Sequence, residues 1–566
     1  MTDTAQRPAK FGGVPPVLWL AFLVQAGLLA AAAFSNRDLL NADGVAYLRI
    51  ASYYAEGKTQ LMVSGYWGPL LSWLIAPLMA LGVPDLAAAR IVMAGSGLVF
   101  SIGCLAVFRR FQLSEPAQIA GLWVAAALSV FWSVRYITPD LLLAGFVALA
   151  IAWLTDERWF GNARFAIVGG FFWAAAYFAK AVAFPLMVLV CASVALAWWF
   201  TGKAAWRAIV RGLAITWITF ACLCAPWMTL LSLKYGGFTF STSGKINHAI
   251  AGPADVERYH PFGRTFHAPE PGRITSWEDP DPKSYAYWSP FANQEYARHQ
   301  LRVIAGNMPK ILQLLGGVDI GLLLSRGAEL QPQDVAQVLG GADLCYFGLA
   351  GIILCLPFAG NRREAFAQQR WRWAIIPVWW MAAIYLPVFL FAGEQRYFYP
   401  VWPFLWVAAV GAAEWLANRR PEQREKRLWL ANRLVTASFA LPAVVWLLVA
   451  LAGLPIPANY VARQMADRLA AAKIEDPIAG SALLPGGRTG MYIAYFLNQP
   501  WHGDQLHPRA ADFKRSQARL IVVRRDDLVT EELDRDPAFR NLDEKLFASA
   551  EEAANFPVKA YEVTPP

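Results

Sequence analysis

The sequence predicts a polytopic α-helical membrane protein with about eleven transmembrane helices, one juxtamembrane helix and a small α/β domain at its C-terminal end. Three observations carry this expectation. Of the 566 residues, 57% are apolar and only 16% charged, with 25 tryptophans and a mean hydropathy of +0.35, which is not the composition of an ordinary soluble enzyme. Apolar runs long enough to cross about 30 Å of hydrocarbon recur along the chain. From about Pro455 the pattern changes to short apolar runs alternating with amphipathic segments, as in a soluble fold.

The polar opening MTDTAQRPAKFGG, residues 1–13, leads into an apolar stretch from Val14 to Phe34. That stretch is long enough to span and has no small-residue cleavage site, so it is expected to remain as an anchor. Further spanning runs lie near 86–108, 117–134, 138–155, 165–180, 182–200, 208–233, 341–358, 372–392, 397–417 and 432–453. A shorter run, WGPLLSWLIAPLMALG at 67–82, begins on Gly-Pro and carries Pro77. Whether it crosses decides the side of every later loop.

Lys and Arg in short loops favour the cytoplasm. Arg109 and Arg110, Arg158 and Arg164, Lys203 with Arg207 and Arg211, residues 361–372 and residues 418–427 form basic clusters in every second loop. Placing all five inside, together with Arg7 and Lys10, requires that 67–82 not cross. It is therefore expected to lie in or dip into the outer interface, within a first outer loop of about 35–85. A twelfth crossing with an inverted N-terminus is the alternative. Residues 14–454 are then the membrane domain, with a second outer loop at 234–340, and residues 455–566 an extracytoplasmic domain. The protein is expected in the cytoplasmic membrane, multi-pass, with its charged site and C-terminal domain facing the periplasm.

The net charge of +9 is no nucleic-acid footprint, because the basic residues are scattered between apolar runs. The cysteines Cys104, Cys191, Cys222, Cys224, Cys345 and Cys355 all fall inside apolar runs, which points to packing rather than disulfides or metal. The loop 234–340 is rich in Pro, Gly and aromatics and is expected to be ordered. Its stretch 308–324 can lie amphipathically on the surface. In the C-terminal part, PIAGSALL and ARLIVV read as strands, and NYVARQMADRLAAA and TGMYIAYFL as helices.

This topology gathers charges on one face. Asp43 sits in the first outer loop, Arg135 and Asp140 flank the turn SVRYITPDLLLAG, Lys180 lies in FAKAVAFP, and Glu394, Arg396 and Tyr397 occupy GEQRYFYP. Ionisable groups at membrane depth cost a few kcal/mol and are functional candidates. Snorkelling, or an ion pair such as Asp140 with Arg135, is the structural alternative for each.

The ordered segments NADGVAYLRIASYYAEG, GYWGPLLSWLIAPLMALG, TPDLLLAGFVALA and RYFYPVWPFLWV resemble the GT-C membrane glycosyltransferases. Within that fold they are similar to the branch of protein O-mannosyltransferases, lipid A aminoarabinose transferases and rhizobial lipopolysaccharide sugar transferases. The resemblance spans roughly residues 14–417. It implies that Asp43 is the catalytic acidic residue of the first outer loop and that 67–82 is a juxtamembrane helix. It also implies a donor sugar joined through phosphate to a polyprenol, moved to a lipid, glycan or protein hydroxyl. On this pattern Asp43 acts as base in an inverting displacement, Arg396 and Lys180 bind the donor phosphate, and Asp140, Tyr397, Glu394 and Arg135 bind substrate or orient the base. Where the family often carries Lys-Pro-Pro or His-Pro-Pro, this chain reads YWGPL, with Trp67 in place of a cation. Arg258, Arg264 or Lys245 of the long loop are candidate helpers.

No cofactor is required by this chemistry; a divalent cation bridging Asp43 and the donor phosphate is the alternative. His248, His260, His267 and His299 match no compact ligand spacing. LLPGGRTG at 483–490 lacks the ending of a nucleotide-phosphate loop and reads as a turn into a helix. A transporter or flippase of a lipid-linked sugar also needs outer charges and many helices, but no half-to-half repeat is visible. A polysaccharide ligase or polymerase is the third reading.

Overall fold

Apolar segments deprived of water can satisfy their backbone groups only internally, so they fold as helices. A computed structural model describes residues 15–316, 370–388, 395–417, 424–454, 457–481 and 488–564. The helix expected at 341–358, Glu394, Cys345 and Cys355 lie outside the described residues. The helices are α1 Pro16–Ser35, α2 Ala42–Ala55, α3 Pro69–Ala80, α4 Asp85–Arg110, α5 Glu115–Arg135, α6 Asp140–Leu154, α7 Arg158–Gly161, α8 Ala163–Ala179, α9 Ala183–Thr201, α10 Trp206–Tyr235, α11 Ser243–Ile250 and α12 Gln294–Gly316. After them come α13 Ile375–Tyr385, α14 Trp402–Ala417, α15 Arg424–Ala452, α16 Pro457–Ala471 and α17 Thr489–Leu497. Among the described residues, 7 helical segments are long and apolar enough to cross a membrane: α1, α4, α5, α9, α10, Arg396–Ala417 and α15. The shorter α3, α6 and α8 are also apolar. This is a multi-pass membrane protein.

The bundle is held by close approach and a few buried polar contacts. Without a hydrophobic drive in lipid, helices associate through small residues and hydrogen bonds. At the α4–α6 crossing a Cβ on Gly103 would lie 2.7 Å from the Gly145 carbonyl oxygen, so glycine lets the backbones touch. Gln25 of α1 is buried and its Nε2 donates to the Gly97 carbonyl (3.1 Å), Ser101 Oγ (2.8 Å) and Ser129 Oγ (2.7 Å), joining α1 to α4 and α5. Exposed apolar side chains such as Leu23, Leu233 and Leu448 lie on the outward faces of α1, α10 and α15.

The ends of α1, α5, α8, α10 and α15 meet the starts of α4, α6, α9 and α14 at one end of the bundle. Asn36, just past α1, donates to the Ala450 carbonyl at 2.8 Å. Asp85, at the start of α4, accepts from Tyr495 of α17. The chain thus leaves and re-enters the bundle at the same end around α2 and α3. α3 has 12 residues, about 18 Å of helix, well short of the hydrocarbon thickness. The basic residues Arg110 and Arg158 meet at Asp156 at the opposite end (3.9 and 3.0 Å).

At the charged end the C-terminal region builds a five-stranded sheet in the order β2-β1-β3-β5-β4, from β1 Ile478–Ser481, β2 Trp501–Gln505, β3 Leu520–Arg524, β4 Phe539–Asn541 and β5 Val558–Val563. β1 runs parallel to β2 and β3, while β5 is antiparallel to β3 and β4. The long loop docks onto it: Trp501 N–H donates to the Ile274 carbonyl and His267 N–H to the His502 carbonyl, both at 2.6 Å. The surface segment expected at 308–324 begins earlier, as α12 from Gln294, and its residues 317–324 are outside the described set.

Candidate active site

A cavity of about 1400 Å³ opens at this end of the bundle, lined by the first loop, the turns after α5 and α8, the long loop and the segment before α14. Asp43 lines it from the first turn of α2, where the helix N-terminus favours a negative charge. Arg396 comes from a 3₁₀ turn over Gln395–Val401 that leads into α14. That turn is fixed by its own aromatics, since the Tyr399 ring stacks on Trp132 of α5 at 3.8 Å. Arg396 Nη1 donates to Asp43 Oδ2 at 2.7 Å, with both side chains largely buried.

A second pair lies alongside. Lys180 Nζ donates to Asp140 Oδ1 at 2.7 Å. Asp140 is buried at the first residue of α6, and Lys180 caps α8, its N–H donating to the Ala176 carbonyl. The Tyr397 ring joins the two pairs, 4.3 Å from Lys180 Nζ and 5.2 Å from Arg396 Cζ. Asp43, Asp140, Lys180, Arg396 and Tyr397 thus share one cavity.

Asp140 pairs with Lys180 and not with Arg135, because α8 ends opposite the start of α6. Arg135 instead packs over the rings of Phe131 and Tyr136 at 5.5 and 5.1 Å and is not among the residues lining the cavity. Arg258 is held by the Pro253 and Ala286 carbonyls and by Asp255, and Arg264 by the Tyr259 ring, so of the three helper cations only Lys245 lines the cavity. Glu394 is outside the described residues.

Trp67 is structural. Its indole N–H donates to the Trp277 carbonyl at 2.8 Å, and its ring packs edge-on against Tyr47, Tyr66 and Trp277. The neighbouring Gly68 lets the start of α3 meet the end of α8: a Cβ there would lie 2.2 Å from the Ala179 carbonyl oxygen. Trp277 is fixed by Glu278, a fully buried carboxylate that accepts from Tyr53 Oη (2.7 Å) and from the Ile274 and Thr275 N–H groups (2.9 and 3.0 Å). Burial raises the Glu278 pKa, against the Tyr53 hydrogen bond and Arg273.

Arg488, immediately before α17, also lines the cavity. In the sequence its segment reads as a turn into a helix, and the signal for Arg488 is a lone arginine before the apolar TGMYIAYFL. His248 and His299 share one ring, Trp288. His248 stacks on Trp288, His299 contacts the Ala251 carbonyl, and His260 contacts Tyr285 Oη through Nδ1 at 2.8 Å. Burial, with Arg488 adding to it, lowers the His260 pKa to about 3, so this ring is neutral. Among the described residues no three His, Cys, Asp or Glu side chains converge as metal ligands. Asp43 and Asp140 are each paired with a protein cation, Arg396 and Lys180.

The bundle has the GT-C fold of membrane glycosyltransferases. It is similar to the oligosaccharyltransferase of Archaeoglobus fulgidus in complex with zinc and sulfate, with a TM-score of 0.52 at 12% identity, over 90% of this chain and 68% of that one. AglB from the same organism, in complex with an inhibitory peptide and a dolichol-phosphate, aligns with a TM-score of 0.50 at 13% identity, over 89% and 70% of the two chains. ArnT from Cupriavidus metallidurans bound to undecaprenyl phosphate aligns over 98% of this chain and 100% of that one, with a TM-score of 0.45 and 16% identity. No protein-family model matches the chain. No curated protein is significantly similar to it.

Proposed function

We propose that the protein is a membrane glycosyltransferase that moves a sugar from a polyprenyl-phosphate donor to an acceptor hydroxyl. The observation that carries the reading is the pair of ion pairs, Asp43 with Arg396 and Asp140 with Lys180, lining one cavity at an end of a GT-C bundle. A lipid-linked donor keeps its tail in the bilayer and presents its phosphate at the helix ends, where Arg396 and Lys180 stand. The guanidinium has five donors in a fixed fork, so it can hold the Asp43 carboxylate and a phosphate together.

Asp43 takes the proton of the acceptor hydroxyl as its oxygen bonds to the anomeric carbon. The bond from that carbon to the phosphate oxygen breaks, and polyprenyl phosphate leaves with inversion at carbon. A phosphate leaving group needs no proton; Arg396 and Lys180 stabilise its charge. Asp140 holds Lys180 in place, and the Tyr397 ring supports both cations. The site end is read as periplasmic because the basic loop residues gather at the opposite end. On this reading α3 is juxtamembrane, and residues 455–566 form an extracytoplasmic α/β domain.

The test is release of polyprenyl phosphate by purified protein in proteoliposomes containing a polyprenyl-phosphate sugar, with Asp43→Asn alongside. Release that the substitution abolishes supports the reading. Sugar crossing the bilayer without bond cleavage, unchanged in Asp43→Asn, makes the protein a transporter and overturns it.

A further inference from the structure

Arg488 is a cavity cation that neither ion pair uses. It stands with Asp43, Tyr66, His260 and Trp277 in the cavity wall. Its guanidinium lies over two rings, 5.4 Å from the Trp277 centroid and 5.7 Å from that of Phe262. Its Nη1 is buried without a hydrogen-bond partner, and among the described residues Arg488 forms no ion pair. Stacking on aromatic faces holds a guanidinium in place while leaving its N–H edge for a bidentate acceptor. A buried charged donor left unmet is costly, so a ligand that brings the acceptor gains from it.

Its place relative to Asp43 narrows the ligand. Arg396 meets Asp43 from the turn before α14, whereas Arg488 lies over Phe262 and Trp277 of the long loop, and Trp277 packs on Tyr66 and Trp67 beyond the start of α2. Asp43 therefore has Arg396 and Lys180 on the membrane-helix side, and Arg488 on the side of the long loop and the C-terminal region. In an inverting displacement the nucleophile and the leaving phosphate lie on opposite faces of the anomeric carbon. A cation near the base but apart from the donor's pair faces the acceptor.

We propose that Arg488 anchors an anionic group of the acceptor, a phosphate or carboxylate near the hydroxyl that reacts. The acceptor is then an acidic glycoconjugate, held from the C-terminal region while the membrane helices hold the donor. This rests on the transferase reading above.

The experiment uses the full chain in lipid nanodiscs, with undecaprenyl phosphate standing in for the donor and glycerol phosphate and glucuronate for the acceptor's anion. Affinities are measured for wild type, R488Q, R488K and R396Q. The expected result is that wild type loaded with undecaprenyl phosphate binds at least one small anion, R488Q binds it about tenfold more weakly, and R488K lies between. Undecaprenyl phosphate should bind R488Q as it binds wild type, and R396Q more weakly. Equal small-anion binding by wild type and R488Q, or none by wild type, overturns the proposal. So does an R488Q defect for undecaprenyl phosphate as large as that of R396Q, which assigns Arg488 to the donor. Wild type that binds the small anion through Arg488 but not undecaprenyl phosphate overturns the transferase reading, and the acceptor assignment with it, while the anion site stands.

Discussion

Arg396 Nη1 and Asp43 Oδ2 lie 2.7 Å apart, joining the 3₁₀ turn before α14 to the first turn of α2. On the proposed mechanism one residue removes a proton and the other holds the leaving phosphate, so the two act on one transition state. Asp43→Asn is expected to lower turnover by about 10² to 10⁴ fold, and Arg396→Gln to raise the donor KM as well as lower kcat. Groups that act as a unit are not additive. The double variant should therefore lose less than the product of the single losses, measured by initial rates of polyprenyl phosphate release.

Lys180 neutralises a carboxylate that has little access to water, the Asp140 side chain being 2% exposed. Lys180→Met strands that charge and is expected to cost roughly 3 kcal/mol, read as a lower thermal midpoint. Lys180→Met with Asp140→Asn should recover most of the stability, because no unpaired charge remains. Donor affinity should stay low in both, which separates the structural from the binding role of the lysine.

Gly68 is in contact with the residue preceding Lys180. In Gly68→Ala the new methyl would stand 2.2 Å from the Ala179 carbonyl oxygen, so backbone must move. The expected cost is about 1 to 3 kcal/mol, with a weaker donor interaction because Lys180 moves too. Gly95→Ala is the control: no atom lies within 4 Å of its Cβ position, and the exchange should be neutral or slightly stabilising.

Asp504 in β2 is nearly buried, and burial, only partly offset by Arg488, raises its carboxyl pKa to about 7. A folded pKa above the unfolded value of about 3.9 means that the unfolded chain ionises first. The group's contribution is fully present below about pH 4 and is lost as pH rises to and through about 7. Asp504→Asn should therefore raise the thermal midpoint at pH 8 relative to wild type and leave it little changed near pH 4. A midpoint difference that is constant from pH 4 to 8 would exclude titration of Asp504 as its cause.

Burial also leaves a mark on the long loop. Trp67 packs edge-on between Tyr47 of α2 and Trp277 of the long loop, wedging the loop against α2. Phe262 and Trp277 in turn form the platform under Arg488. Their surplus was visible in the composition, but their partners were not.

What the sequence determined alone is what local chemistry decides. Apolar runs such as 86–108 must be helices because lipid offers no other partner to the backbone. The alternation of PIAGSALL, TGMYIAYFL and ARLIVV marks strand, helix and strand in the C-terminal region, and charges at apolar helix ends single out Asp43, Arg135, Asp140, Lys180, Glu394 and Arg396 as candidates by their cost. Only the tertiary structure decided who meets whom. Asp140 faces Lys180 rather than the nearby Arg135, because the end of α8, not that of α5, is packed opposite it. Arg488 reaches the cavity only because the C-terminal sheet docks on the long loop at Trp501 and His267. Pairing in a cavity depends on the packing of segments far apart in the chain, and periodicity, which reports on neighbours three or four residues away, carries no record of it.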